Sequence, residues 1–178
     1  MQLRIGADPE VFVHSGQGFV SGHTFPCGTK KKPTRTRHGS VQVDGLALEF
    51  NVRPSKTPVE FLRNVKGVYA DLERIVAEVQ PGYSVRPQPT VVFGSEYIRT
   101  LPEEQQILGC NPDWNAYTME ENPPPNGEVD FRTGAGHVHL GFRREGINFQ
   151  TDASLVRELD YYLGLPSLEW DNDSKRRT

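Results

Sequence analysis

Three short stretches of the chain place chemically capable side chains at alternate positions. Asp8 and Glu10 lie in Gly6-Ala7-Asp8-Pro9-Glu10-Val11-Phe12-Val13. Glu49 and Asn51 lie in Asp44-Gly45-Leu46-Ala47-Leu48-Glu49-Phe50-Asn51-Val52, and His137 and His139 in Gly136-His137-Val138-His139-Leu140-Gly141-Phe142. Alternate side chains of a strand share a face. Leu46, Leu48, Phe50 and Val52 then oppose Glu49, and Val138, Leu140 and Phe142 oppose the histidines. Asp8 and Glu10 alone would read as a solvated strand face. With Glu49 and two imidazoles on similar strands, the pattern is that of a sheet whose polar face holds a metal ion. Carboxylates with imidazoles suit a hard or borderline divalent cation. Magnesium, manganese and zinc stay open: magnesium prefers oxygen, while zinc takes a His-x-His pair with a carboxylate. Burying Glu49 unpaired in so apolar a strand would be costly.

A second set of candidates is basic. Lys30, Lys31, Lys32, Arg35, Arg37 and His38 crowd one loop rich in glycine and proline, either simply solvated or clamping a nucleotide or acidic substrate. Arg132 sits in Phe131-Arg132-Thr133-Gly134-Ala135-Gly136, where glycines let a backbone approach a ligand. Gly134 and Gly136 lack the spacing of a P-loop or dinucleotide fingerprint, and no G-x-S-x-G is present. The formal charge of −3 by itself decides nothing about nucleic acid, but one short basic patch on a net acidic chain, without interleaved aromatics, argues against such a partner. No apolar run approaches a membrane span, and Met1-Gln2-Leu3-Arg4 carries no signal-peptide core. Cys27 and Cys110 are too few for a disulfide framework, so a reduced, cytoplasmic setting is expected.

The elements that must position these residues can be read along the chain. Residues 2–14 are expected as a strand, with a bulge or edge at Pro9, and residues 41–53 as a second strand bent at Gly45. Thr57, Pro58 and Glu60 form an N-terminal capping signal. Phe61, Leu62, Val65, Val68, Leu72, Ile75, Val76 and Val79 continue at helical spacing to Pro81-Gly82. Residues 83–94 are expected as a strand, 102–108 as a short helix and 136–143 as the histidine strand. A last helix is expected from a cap at Thr151 or Asp152, with Leu155, Val156, Leu159 and Leu163 inside and Gly164 closing it. This order lacks βαβ alternation. It points to one α+β domain over residues 1–178, a mainly antiparallel sheet with helices on one face.

These segments resemble a known family. Gly6 to Val13, Phe25-Pro26-Cys27-Gly28-Thr29-Lys30, Val41-Gln42-Val43-Asp44-Gly45 and Leu48-Glu49-Phe50-Asn51 look like the phiEco32-like type 2 carboxylate–amine ligases of bacteriophages. Gly109-Cys110-Asn111-Pro112-Asp113-Trp114-Asn115-Ala116-Tyr117, Arg132 to His139, and Leu163-Gly164-Leu165-Pro166 through Arg176-Arg177 fit the same pattern. The resemblance implies a glutamine synthetase-like ligase with a curved antiparallel sheet, using ATP with Mg2+ or Mn2+ to join a small-molecule or peptide carboxylate to an amine through an acyl phosphate. It implies Glu10, Glu49 and His137 as metal ligands, Asp8 as their helper, and His139 as a ligand or phosphate contact. Arg132, Arg176 and Arg177 would face phosphates or the acyl intermediate, joined by Lys30. Relatives continue beyond the Arg-Arg pair, so an incomplete pocket, finished by another chain or a homo-oligomer, is also expected. Such a protein would act in the host cytoplasm. A non-catalytic phage binding or structural protein and a metal-dependent hydrolase are the alternatives.

Overall fold

A computed structural model describes residues 3–106, 114–123, 130–142 and 149–173. The chain divides into two compact units, Met1–Leu108 with Glu128–Arg143, and Gly109–Gly127 with Arg144–Thr178. The fold is α+β, with a strongly curled, half-barrel antiparallel sheet. Among the described residues no helix is long and apolar enough to cross a membrane.

The first unit opens with β1 (Arg4–His14), β2 (Phe19–Val20), β3 (Gly28–Thr29), β4 (Lys32–Arg35), β5 (Gly39–Asp44) and β6 (Ala47–Val52). The long helix α1 (Pro58–Val79) precedes β7 (Ser84–Arg86), β8 (Thr90–Val92), α2 (Ser95–Arg99) and α3 (Glu103–Gln106). Then come β9 (Phe131–Thr133) and β10 (Gly136–Gly141). The main sheet runs β10-β1-β6-β5-β4-β3, with β2 and β7 also on β1, while β8 and β9 make a separate pair.

Strand β1 organises this unit. Residues 4–9 pair with β10, Glu10 and Val11 with β6, and residues 12–14 with β7. On the β6 side the register slips by one residue between the Ile5↔Ser55 bridge and the Glu10↔Glu49 pair. Such a slip adds local twist. Pro9 falls inside this gap, where its missing N–H leaves no ladder bond unmade.

One sheet face carries the main core. Val11, Val13, Val41, Leu48, Phe50, Val52 and Val85 pack on Val68, Leu72 and Val76 of α1. The helix starts as its cap signal dictates: Thr57 Oγ1 accepts from Glu60 N at 3.2 Å. The Glu60 carboxylate takes Lys56 N at 2.8 Å, one residue further back than a capping box requires. The stripe also holds Asn64, which donates to Ser55 Oγ at 3.0 Å and lies 3.0 Å from His38 Nδ1. Leu62 and Val79, expected inside, are exposed on its flanks.

Several sequence expectations need correction. Residues 41–53 form a hairpin, because Gly45 and Leu46 make a two-residue turn with Gly45 at φ 54°. Leu46 therefore leaves the α1 face and packs with Ile98 and Leu101. Residues 83–94 split into β7 and β8 in different sheets, since Pro87 and Pro89 interrupt the ladder. Val138 is 53% exposed, because α1 spans β5, β6, β7 and β1 but does not extend over β10.

In the second unit, α4 (Phe149–Leu159) begins before the expected cap at Thr151 or Asp152. It passes through a π-helical turn, Asp160–Gly164, into α5 (Leu165–Ser167). Gly164 does not close the helix: its φ of −63° and ψ of −56° are helical rather than left-handed. Val156 and Leu163, expected on the inner face, are exposed, while Ala153 is buried. Arg157 Nε donates to Ala116 O at 2.7 Å and its guanidinium stacks over Tyr117.

Candidate metal centre

The sheet face opposite α1 gathers the acids. Register sets them side by side: Glu10 faces Glu49 across β1 and β6, Gln42 faces Glu49 across β5 and β6, and Asp8 faces His137 across β1 and β10. Oxygens of Glu10, Asp44 and Glu49 lie within 4.8 Å of one another. Two oxygens bound to one divalent ion lie no further apart than twice their bond length, about 4.2 Å for magnesium and nearer 5 Å for calcium. At that spacing the three carboxylates reach a calcium-sized ion as they stand, and a magnesium- or manganese-sized ion once they close in by a few tenths of an ångström.

Each acid is held in place. Glu10 Oε2 accepts from Ala135 N at 2.8 Å, and Glu10 N donates to Ala135 O at 2.7 Å. Beside it, Gly134 N donates to Pro89 O at 2.9 Å, and a Cβ on Gly134 would meet Gln88 O at 2.6 Å. Glu49 Oε1 accepts from Gln42 Nε2 at 2.8 Å and Asn51 Nδ2 at 3.3 Å. Asp44 binds Lys30 Nζ at 2.9 Å. At one end the face turns apolar: Phe12, two residues beyond Glu10, is fully buried with Ala47 and Val91, backed by Phe19 and Phe93. This wall helps keep water away from the acids.

The electrostatic result is a strained group of like charges. Glu49 is 8% exposed. Burial, then the Asp8 and Asp44 charges, a hydrogen bond with Asp44 and the Glu10 charge push its carboxyl up to about 8. Glu10 is raised as well, by burial first; the Ala135 hydrogen bond opposes that rise. Carboxylates that are buried and crowded in this way would be favoured in their ionised form by a hard divalent ion.

The expected ligand set separates into two neighbouring groups. Asp8 sits between the histidines, 3.3 Å from His137 Nδ1 and 3.1 Å from His139 Nε2, and accepts His137 N at 3.0 Å. Asp8 and Glu10, two residues apart on one strand, join this group to the acid cluster at a spacing of about 6.6 Å. Asp44 was not among the ligands expected from sequence. Counted along a continuous strand it belongs with Leu46 and Leu48; the Gly45-Leu46 turn returns it to the side of Glu49. The signal was there, since Asp-Gly inside a long run of strand-forming residues marks a hairpin.

Arg132 has other partners than the expected phosphates. Its guanidinium is buried, donating to the carbonyls of Phe131 and Gln106 at 2.9 Å each, and burial lowers its pKa. Arg176, Arg177 and Cys110 lie outside the described residues. Cys27 is buried and its thiol is pushed up to about 11, which leaves it unreactive. Comparison with family models, with curated proteins and with solved structures gives no match.

Proposed function

We propose that this chain is an ATP-dependent carboxylate–amine ligase on a glutamine synthetase-like fold. The observation that carries this reading is the convergence of Glu10, Asp44 and Glu49 on the open face of a curled antiparallel sheet, with Asp8, His137 and His139 beside them. Glu10, Asp44 and Glu49 would hold Mg2+ or Mn2+, which when bound neutralises polyphosphate charge during phosphoryl transfer. Asp8 fixes the two imidazoles at the rim, where His139 is exposed and available to a phosphate oxygen. Lys30 keeps one ammonium at the cluster. Arg132 acts as a positioning residue, tying β9 to the end of α3 through the Gln106 carbonyl. The absence of a nucleophile motif agrees with a route through a substrate acyl phosphate rather than a covalent enzyme intermediate.

Lys30 also favours a second reading. Its ammonium already balances Asp44, as expected of a ligase-derived binding protein that no longer turns over. One assay separates the two: mass-spectrometric detection of amide products and ADP, with ATP, Mn2+ and a pool of amino acids and peptides. The ligase reading expects ADP formation that depends on the pool and is lost in Glu10→Gln and Asp44→Asn. Mn2+ binding without any product supports the binding protein. Turnover unchanged in both variants removes these residues from the chemistry.

A further inference from the structure

The hairpin of β3 and β4 carries Lys30 to the acid cluster. Its strands pair as Gly28↔Pro33 and Thr29↔Lys32, so Lys30 and Lys31 make a two-residue turn at its tip. Gly28 has φ 81°, and a side chain there would run into Lys32 O. The root of the hairpin is fixed. Thr34 N donates to Cys27 O at 3.1 Å, and Thr34 and Arg35 pair with Val41 and Ser40 of β5. The tip is exposed from Thr29 to Lys32, and from it Lys30 Nζ reaches to 2.9 Å from Asp44 Oδ1. The two partners differ in freedom: the Lys30 side chain is 49% exposed and the Asp44 side chain 15%. Burial raises the Glu10 carboxyl, and the Lys30 charge is one of the influences that lower it, so the ammonium is felt beyond Asp44.

We propose that Lys30 is a displaceable counter-ion, whose ammonium holds the place of the divalent cation at Asp44 and swings into water when the cation binds. This inference rests on the reading of Glu10, Asp44 and Glu49 as a metal centre and adds a control to it. A magnesium-sized ion bound to Asp44 Oδ1 at about 2.1 Å would stand no more than about 5 Å from Lys30 Nζ. Charges of +2 and +1 that close repel, the more so beside a low-dielectric sheet face. Lys30 is the partner that can yield. Its side chain is half in water already, where an ion pair contributes little to stability. The ladder bonds at the hairpin root do not depend on it, so the ammonium leaves without unfolding the strand pair. The ion pair then belongs to the cation-free protein. It lowers the apparent cation affinity by the share of molecules in which Lys30 is engaged.

The test uses the full chain, Mn2+ and a short pulse of an amine-acetylating ester at fixed pH, with each lysine followed by peptide mass spectrometry. Without Mn2+, Lys30 should be acetylated more slowly than Lys31 and Lys32. With saturating Mn2+ its rate should rise severalfold, to match theirs, while theirs stay unchanged. Titration of Mn2+ into Lys30→Met should show binding about two- to fivefold tighter than in the wild type, the size expected from removing a half-exposed ion pair. Lys31→Met takes the same charge off the hairpin tip and should shift the affinity much less. Two results overturn this inference alone: Mn2+ that binds but leaves Lys30 acetylation unchanged, or equal tightening in the two variants. No Mn2+ binding in any of the three proteins overturns the inference and the metal centre together. The acetylation arm needs no variant, so a misfolded Lys30→Met would not spare the proposal.

Discussion

The sharpest prediction concerns Glu49 without a cation. Its carboxyl rises from an ordinary 4.5 to about 8, chiefly through burial and then through the charges of Asp8 and Asp44. A folded-state pKa above the unfolded one means that the native state binds the proton more tightly. Native stability then falls as pH climbs from 4.5 towards 8, and levels off above it. At 1.36 kcal/mol for each tenfold change, a rise of that size sets an upper bound on the penalty of about 5 kcal/mol above pH 8 and about 3 kcal/mol at pH 7. Glu49→Gln removes the charge yet keeps an oxygen for Gln42 Nε2 to donate to. In chelator at pH 8 the variant should therefore be more stable by several kcal/mol. For a domain of this size, 3 kcal/mol corresponds to about 6–12 °C in melting temperature. Thermal and urea unfolding at pH 5, 6, 7 and 8 provide the assay. The wild type should lose stability across the series and the variant should lose much less. A wild-type curve flat between pH 5 and 8, or a variant no more stable at pH 8, would refute the electrostatic account of this face.

Other outcomes follow from the same geometry. Adding Mn2+ at pH 8 should raise the wild-type melting temperature by several degrees, and chelation should reverse it, since a ligand that binds only the native state stabilises it. The rise should be absent in Asp44→Asn. Leu72→Ala, in the fully buried stripe of α1, should cost about 2–5 kcal/mol in urea unfolding, and a cost below 1 would contradict the packing described. Thr57→Ala should cost about 1 kcal/mol through the lost contact with Glu60 N, and no change would mean that the cap contributes nothing.

Much of this arrangement was legible in the sequence because strand and helix periodicities are local. The alternation in residues 8–10, 49–51 and 137–139 placed these side chains on one face, as the register does, and the Thr57-Pro58-Glu60 signal located α1. What escaped was set by turns and by reach. The Gly45-Leu46 turn changes which face Asp44 belongs to, and a turn of two residues is easily absorbed into a long strand pattern. Arg132 is the commonest kind of phosphate ligand by type, but its direction depends on where Gln106 lies, and nothing local specifies that. Val138 reads as a core residue by alternation, yet its burial depends on whether α1 extends over the edge strand. Gly164 reads as a stop, although glycine permits a left-handed turn without compelling one.

The central claim is that Glu10, Asp44 and Glu49 hold one divalent cation together. Titration of Mn2+ into the full chain, followed by electron paramagnetic resonance of the free ion, tests it most directly. The account predicts a saturable high-affinity site in the wild type that is lost in both Glu10→Gln and Asp44→Asn, with either variant still folded. No such site in the wild type, or undiminished binding in both variants, would contradict it.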